Sequence, residues 1–340
     1  MTKKIFVFLL FIITCSGAWF ILGRSTVDQP IVVQKEEPSI ETIGKLEHGG
    51  KSLPFFSLKG RPSMEIIENL GEPTRTEPSE YGYEWWIYEE ENREVMQLGI
   101  LDNEVVTGVL FHQEEGEVKI GDTYKQVKEQ FSLQNSYRLE SEGAYTLELT
   151  EKDLKERPVI PLNDHWSAQL YIDNVTEKVF AIRIIRNDIL LRHQPYKIIY
   201  RGTLPRQKSL TSKQWAEVQA GMEAQIFSIT NNSRVQKGLN PLVPHEGASD
   251  VAFSHSKDMD KNNYFSHHSQ NGEGLKERLS GLSYIRAGEN IASQYVDATA
   301  AVHGWLNSPG HRKALLDPDY THLGVGVHQR YYTQNFLTVP

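Results

Sequence analysis

The chain of 340 residues is long enough for two domains of ordinary size. Its hydrophobic fraction of 39% and aromatic fraction of 10% suffice for packed cores, and its net charge is −8. The acidic residues are concentrated in residues 61–120, with 4 Lys and Arg against 15 Asp and Glu, and no stretch supplies the basic surface that would neutralise phosphates, which excludes a nucleic-acid partner.

The N-terminus carries an export signal. Two lysines precede an uninterrupted apolar run over residues 5–23, and Arg24 follows it. Basic residues before an apolar segment favour export of the chain that follows. The run is just long enough to span a bilayer as a helix, while Ser16-Gly17-Ala18 offers a cleavage site. Residues 1–24 are therefore predicted to be a signal peptide or a signal anchor, and the protein is predicted to be extracytoplasmic, either secreted or anchored at the outer face of the membrane.

Residues 25–54 are polar and interrupted by Pro and Gly, which predicts a flexible spacer. Residues 55–200 contain a degenerate repeat whose copies begin at Gly60 and Gly121, each with a helical pattern before two strand-like runs. The runs are 97–100 and 105–111 in the first copy, and 169–172 and 179–184 in the second. The helix openings are 61 residues apart and the strand pairs about 72, so the second copy carries an insertion. Two such units predict an α+β domain.

Five aromatic residues lie close together between Tyr81 and Tyr88. Strand alternation places Tyr81, Tyr83 and Trp85 on one face, and Trp86 and Tyr88 on the other. One interpretation is a binding platform for sugar or peptide. The other, which we favour, is core packing on one face and cross-strand pairing on the other.

A second domain is predicted over residues 212–340, joined to the first by a linker over 201–211. It opens with a capping box formed by Thr211 and Gln214, and its long first helix ends at Gly238. Apolar spacing predicts further helices over 246–261 and 297–306, and closing strands over 323–327 and 331–339.

Several short motifs follow one another in the second domain. They are Asn231-x-x-Arg234-x-x-x-Gly238-Leu239-x-Pro241-Leu242, His255-Ser256-x-Asp258-Met259, Phe265-Ser266-His267, Gly288-Glu289-Asn290-Ile291-Ala292, Trp305-x-x-Ser308-Pro309-Gly310-His311-Arg312, Leu323-Gly324-Val325-Gly326-Val327 and Gln334-Asn335-Phe336. In this order they resemble the CAP superfamily of cysteine-rich secretory, antigen 5 and pathogenesis-related 1 proteins. The resemblance implies an α/β/α sandwich. The repeat-containing domain ahead of it resembles the CAP-associated N-terminal domain of some exported bacterial proteins.

The CAP resemblance implies a shallow cavity lined by two His and two acidic residues. By motif position, His267 is the first His, Glu289 the first acid and His311 the second His. Ser308 stands where the second Glu is expected, so the acidic pair is incomplete. Lipids, sterols, peptides and glycans are the ligand classes that the resemblance implies, and the sequence does not choose among them.

The same residues are also candidates for a weak metal site. Neutral imidazoles ligate zinc, and a catalytic zinc usually has three protein ligands. Only His267 and His311 remain as ligands if Glu289 instead hydrogen-bonds and orients a His. A divalent metal such as zinc is therefore a candidate cofactor. With Glu289 as catalytic base, the site would be a metal-assisted hydrolase.

Other features weigh against catalysis. Cys15 is the only cysteine, so the two domains contain no thiol nucleophile. No serine stands in a G-x-S-x-G turn, and the H-E-x-x-H spacing of zinc proteases is missing. A triad of Ser308, His311 and Glu289 can still be drawn, although Glu289 can equally satisfy buried backbone groups at a turn. His255 is predicted to be a hydrogen-bonded core residue.

The sequence therefore favours an exported, envelope-associated binding protein over an enzyme. Its expected partner is an envelope ligand, with membrane contact through residues 1–24 if they are not cleaved. The alternatives are the metal-assisted hydrolase and a purely structural or protein-interaction role.

Overall fold

The computed structural model describes residues 54–340, apart from 91–92, 113–115 and 141–142. The predicted export signal and nearly all of the predicted spacer therefore lie outside the described residues. Within the described part of the chain, no helix combines the length and the apolar character needed to cross a membrane.

The first copy of the predicted repeat is a helix followed by four antiparallel strands. A short 3-10 helix, Phe55–Leu58, precedes it. The elements are α1 (Ser63–Leu70), β1 (Arg75–Pro78), β2 (Glu84–Glu90), β3 (Arg93–Leu101) and β4 (Glu104–Leu110). The helix ends at Gly71, whose φ of 81° lies in the left-handed region that favours glycine.

The second copy has the same plan with an insertion. Its elements are α2 (Tyr124–Gln130), β5 (Ser136–Glu140), β6 (Ala144–Glu148), α3 (Glu151–Glu156), β7 (Val159–Pro161), β8 (Trp166–Asp173) and β9 (Lys178–Arg186), and α4 (Asn187–His193) and β10 (Lys197–Arg201) follow them. The inserted elements are α3 and β7, which explains why the strand pairs are further apart in the sequence than the helix openings. The predicted insertion is confirmed.

Equivalent backbone contacts show that the two copies are built alike. The N–H of Gly60 donates to the carbonyl of Val105 at 3.1 Å, and the N–H of Gly121 donates to that of Val179 at 2.9 Å. Strands β4 and β9 pair antiparallel and join the copies in one seven-stranded sheet, ordered β1-β2-β3-β4-β9-β8-β7. The hairpin β5–β6 instead forms a three-stranded sheet with β10. The predicted α+β domain of two helix-plus-sheet units is confirmed.

The aromatic cluster packs into the core. Tyr81, Tyr83 and Trp85 belong to one buried cluster, and Tyr83 and Trp85 meet edge to face with ring centroids 4.9 Å apart. Tyr88 is buried in a second cluster on the other face of the sheet, and the partly buried Trp86 packs against it. Because these rings are covered by protein, the core-packing interpretation is confirmed and the binding-platform interpretation is wrong.

The second domain contains five helices, of which one is a single turn, around a four-stranded sheet. Its elements are α5 (Ser212–Gln236), β11 (Val243–Pro244), α6 (Glu246–Lys261), α7 (Leu275–Arg278), β12 (Arg286–Ser293), α8 (Ala298–Leu306), α9 (Pro309–Leu315), β13 (His322–His328) and β14 (Tyr331–Thr338). The capping box of Thr211 and Gln214 opens α5 as predicted. The structure adds α7, α9, β11 and β12, which the sequence did not indicate.

The sheet order β11-β13-β14-β12 places β13 and β14 at the centre, with helices on both faces. Helix α6 lies against the glycine face of β13. A Cβ atom added to Gly326 would stand 1.9 Å from the backbone nitrogen of Phe253, and one added to Gly324 would stand 2.3 Å from the carbonyl carbon of Ala248. The opposite face packs against α5. The predicted α/β/α sandwich is confirmed, and its two motif glycines allow the close approach of α6.

The two domains share a hydrophobic core. Val218 and Ile226 of α5 belong to the same buried cluster as Tyr81 and Trp85 of the N-terminal domain. A buried ion pair also crosses the boundary, where Arg183 Nη2 donates to Asp297 Oδ2 at 2.5 Å and the Arg183 side chain has no exposed surface. All described residues accordingly belong to a single compact unit.

Candidate functional site

The site is organised around a buried carboxylate. Glu289 lies in β12, where it pairs with Asn335 of β14, and its side chain is only 3% exposed. His267 follows α6 in a loop and is 41% exposed. Its Nδ1 is 2.8 Å from Glu289 Oε1. Because a carboxylate oxygen accepts, Nδ1 carries the proton, and this hydrogen bond fixes both the tautomer and the orientation of the ring.

Arg278, at the end of α7, holds the other side of the same carboxylate. Its Nη2 donates to Glu289 Oε2, and its Nη1 donates to the carbonyl of His267 at 2.9 Å. Burial alone would raise the pKa of Glu289, but the hydrogen bond from His267 and the charge of Arg278 outweigh it and keep the pKa below its usual value. Glu289 is therefore ionised at neutral pH.

The second half of the site is the start of α9. Ser308 is the N-cap residue of this helix, and its Oγ lies 2.9 Å from Nδ1 of His311. Burial lowers the pKa of His311, and the electrostatic influence of His267 lowers it further. The amide nitrogen of Asn290 donates to the carbonyl of His311 at 3.1 Å and ties α9 to β12.

The structure joins the cavity residues expected from the sequence in two pairs, His267 with Glu289 and His311 with Ser308, and Asn290, the neighbour of Glu289, bonds to the backbone of His311. That they bind a ligand stays a prediction. The interpretation of Glu289 as a turn residue is wrong, because it lies within a strand. Arg278 was not foreseen, since no motif in the sequence marks it.

The triad drawn from the sequence is not formed. Both oxygens of Glu289 are engaged by His267 and Arg278, so the carboxylate orients His267 and not His311. Ser308 contacts the Nδ1 of His311, which is the nitrogen that the acid occupies in a catalytic triad. The arrangement lacks the order of contacts that would activate a serine.

The donor set also fits a catalytic zinc poorly. With Glu289 held by two hydrogen-bonding partners, His267 and His311 are the protein ligands left, whereas a catalytic zinc usually has three. Within residues 54–340, leaving aside the undescribed gaps, no group of three or more His, Cys, Asp and Glu side chains is arranged to hold a metal ion.

A groove of about 590 Å³ adjoins the site. It lies between α6 and the segment 269–278, and Arg278 and His255 are part of its lining. His255 is 1% exposed, and its Nε2 donates to the carbonyl of Ser266 at 3.0 Å, which confirms the prediction of a hydrogen-bonded core residue. Three carboxylates, Asp250, Asp258 and Glu273, also line this groove. A ligand that contacts the two imidazoles could therefore extend into this groove.

The N-terminal domain forms hydrogen bonds to α8 and α9, the two helices that flank and carry Ser308 and His311. At the end of β8, the carbonyl of Ile172 accepts from Nε2 of His303 at 2.8 Å. The next residue, Asp173, accepts from both terminal nitrogens of Arg312 at 2.8 and 3.1 Å. The N–H of Asn174 donates to Oδ1 of Asn307 at 2.9 Å. These contacts on α8 and α9 fix the second half of the site from the other domain.

This interdomain contact predicts a pH dependence of stability. Burial lowers the pKa of His303 from 6.5 to about 4. Between these values the unfolded chain binds a proton that the folded protein does not, so the free energy of unfolding falls as the pH is lowered. We expect His303 to contribute a loss of roughly 2 kcal/mol between about pH 7 and about pH 5.

Urea unfolding of the wild type and of His303→Gln at both pH values measures this contribution. Glutamine can still donate to the carbonyl of Ile172 but does not titrate. The variant should therefore lose less stability than the wild type on acidification, by that amount. Equal losses in the two proteins would show that His303 is not held neutral.

Comparison with known proteins agrees with the fold and the motifs. Residues 60–196 match the CAP-associated N-terminal family, and residues 227–339 match the cysteine-rich secretory protein family. An uncharacterized membrane protein of Bacillus subtilis, YlbC, is 40% identical over 321 residues, which are 92% of this chain and 90% of that protein. The chain therefore belongs to the cysteine-rich secretory protein, or CAP, family, in the bacterial form with a CAP-associated N-terminal domain.

Solved structures show the same two-domain arrangement. An extracellular protein containing an SCP domain from Bacillus anthracis superposes with a TM-score of 0.79 at 36% identity, over 90% of this chain and 99% of that one. A cysteine-rich secretory protein from Staphylococcus aureus has the same fold, with a TM-score of 0.74 at 22% identity over 83% of this chain and 92% of that one. YkwD of Bacillus subtilis, an uncharacterized protein, is 39% identical over 119 residues, which are 34% of this chain and 46% of that protein.

Proposed function

We propose that this protein is an exported binding protein whose CAP domain holds an envelope ligand at the site of His267, Glu289, His311 and Ser308. The observation that carries the proposal is the pairing of a half-exposed imidazole with a buried, ionised carboxylate. Glu289 and Arg278 are buried, and they fix the position of His267 at the surface. A polar group held in place before the ligand arrives lowers the entropic cost of binding.

The chemistry of the site favours a ligand with hydrogen-bonding groups. Its partly exposed side chains are the imidazoles of His267 and His311 and the hydroxyl of Ser308. The adjoining groove adds carboxylates and side-chain amides, including those of Gln270 and Asn271. These groups match the amides of a peptide or the hydroxyls of a glycan better than the chain of a lipid. A peptide or glycan of the cell envelope is therefore our proposed ligand class.

The geometry of the site supports a metal-assisted hydrolase or a purely structural role less well than it supports binding. A metal-assisted hydrolase needs Glu289 to act as a base, but both of its oxygens accept hydrogen bonds from His267 and Arg278. A purely structural role would explain the burial of Glu289 but gives no reason for its partner His267 to stand half exposed. Binding accounts for both features.

Native mass spectrometry of the full chain, purified from a cell that exports it, tests the proposal. The wild type should carry a co-purifying mass, and His267→Ala should lose it. The matched control is His268→Ala, because His268 is an exposed neighbour outside the site and its loss should change nothing. Elemental analysis of the same samples reports any metal. If all three proteins show only the mass of the bare chain, with no adduct, the structural role is left and the binding proposal is overturned.

A further inference from the structure

A second cavity, of about 650 Å³, lies at the junction of the two domains. Three parts of the chain build it. The N-terminal domain contributes the segment around α4, the linker contributes Arg206 and Gln207, and the CAP domain contributes residues 293–296 and Arg330. None of the four residues of the His267 site lines this cavity. Its volume is within the range of small-molecule binding sites.

The lining is cationic in a protein with a net charge of −8. Four arginines, Arg157, Arg192, Arg206 and Arg330, surround the space. The described residues that line it include no Asp or Glu. The remaining polar groups are amides and hydroxyls, among them those of Gln194, Gln294 and Tyr295.

Three of the arginines are held in position by side chains behind the cavity wall and retain donors for a ligand. Asp153 accepts one hydrogen bond from Arg157, at 3.0 Å, and Asp188 accepts one from Arg192, at 3.3 Å. Arg330 contacts Glu80 and the hydroxyl of Tyr81. A guanidinium has five N–H donors, so one carboxylate behind each of Arg157, Arg192 and Arg330 still leaves donors for an anion.

The lowered pKa of His193, a residue of the cavity wall, agrees with a positive electrostatic potential in the cavity. His193 lines the cavity and is 3% exposed. Burial lowers its pKa well below 6.5, and the charges of Arg183, Arg330 and Arg192 lower it further. The imidazole is therefore neutral, and the guanidinium groups are the charged groups of the cavity wall.

We propose that this junction cavity binds a small anionic ligand that carries a phosphate group. Arginine recognises phosphate by parallel charged hydrogen bonds. Four guanidinium groups approaching from both domains and the linker suit a phosphate, whose oxygens point in several directions, better than a planar carboxylate. The surrounding amides and hydroxyls suit a polar, hydroxylated remainder such as a sugar or polyol. A ligand here would contact both domains and the linker.

Isothermal titration calorimetry of the full chain in mild detergent tests this site. The probes are inorganic phosphate, glycerol 3-phosphate and citrate, with glycerol as the uncharged control. The informative variants are Arg192→Gln and Arg206→Gln. The first is tolerated because Asp188 keeps two hydrogen bonds from Arg186. The matched control is Arg201→Gln, which removes the same charge from an exposed residue of β10 outside the cavity.

We expect saturable binding of phosphate and glycerol 3-phosphate, with the glycerol ester binding more tightly. Each informative variant should weaken binding by about tenfold, because each removes a charged hydrogen bond, and Arg201→Gln should leave the affinity unchanged. Three results would overturn the proposal. They are no saturable binding, equal weakening by all three substitutions, or tight binding of citrate with none of glycerol 3-phosphate.

Discussion

Replacing Asp297 by Asn is expected to destabilise the protein by about 3–5 kcal/mol, because it leaves the buried guanidinium of Arg183 without a charged partner. The Arg183 side chain has no exposed surface, and that of Asp297 is 5% exposed. Asparagine has nearly the same volume and can still accept the hydrogen bond from the N–H of Ala300 that caps α8. The substitution therefore removes mainly the charge that joins the two domains.

Urea unfolding monitored by tryptophan fluorescence and by circular dichroism gives the result. Both probes should report one transition in the wild type and in the variant, because the shared core couples the domains. The matched control is Glu148→Gln, which removes an exposed ion pair with Lys197 and should cost less than about 1 kcal/mol. A small loss for Asp297→Asn, or separate unfolding of the CAP domain in the wild type, would contradict the coupling of the domains.

Replacing Gly326 by Ala should cost about 3 kcal/mol or more, since the methyl group would collide with the backbone of α6. The new Cβ would lie 1.9 Å from the nitrogen of Phe253 and 2.4 Å from its Cα. Backbone atoms cannot rotate away as a side chain can, so α6 would have to move off β13. Movement of this helix would also displace the loop that carries His267.

The matched control for this prediction is Gly281→Ala, where a Cβ would meet nothing within 4 Å. Its effect on the free energy of unfolding should stay within about 0.5 kcal/mol. Chemical unfolding of both variants measures the difference. If Gly326→Ala proves as stable as Gly281→Ala, then α6 does not lie directly on the strand.

Much of the fold can be predicted from the sequence because its signals are local. The capping box at Thr211 and the glycines that end α1 and α5 define helix boundaries through short-range hydrogen bonds. The spacing of the two repeat copies predicts the inserted α3 and β7. The sequence does not indicate strand β12 because its consecutive polar residues Glu289 and Asn290 break the alternation of polar and apolar residues typical of a strand. Helices α7 and α9 are too short for a periodic pattern.

The candidate site was predictable only in part. Motif order brought His267, Glu289, His311 and Ser308 together, but not the pairing among them. Whether Glu289 orients His267 or His311 depends on the register of β12 against β14, which no local pattern encodes. No local pattern predicts the arginine-lined cavity either, because its four arginines are spread from residue 157 to residue 330. Such contacts arise from tertiary packing.

The most direct test of the central claim is NMR of the imidazole nitrogens of the full chain during titration with a short peptide and an N-acetylated oligosaccharide. We expect His267 to carry a proton on Nδ1, from which it donates a hydrogen bond to Glu289. A bound probe should shift the signals of His267 and His311 together while those of His268 stay in place. A proton on Nε2 of His267 with none on Nδ1, or no shift of either residue with both probes, would contradict this expectation.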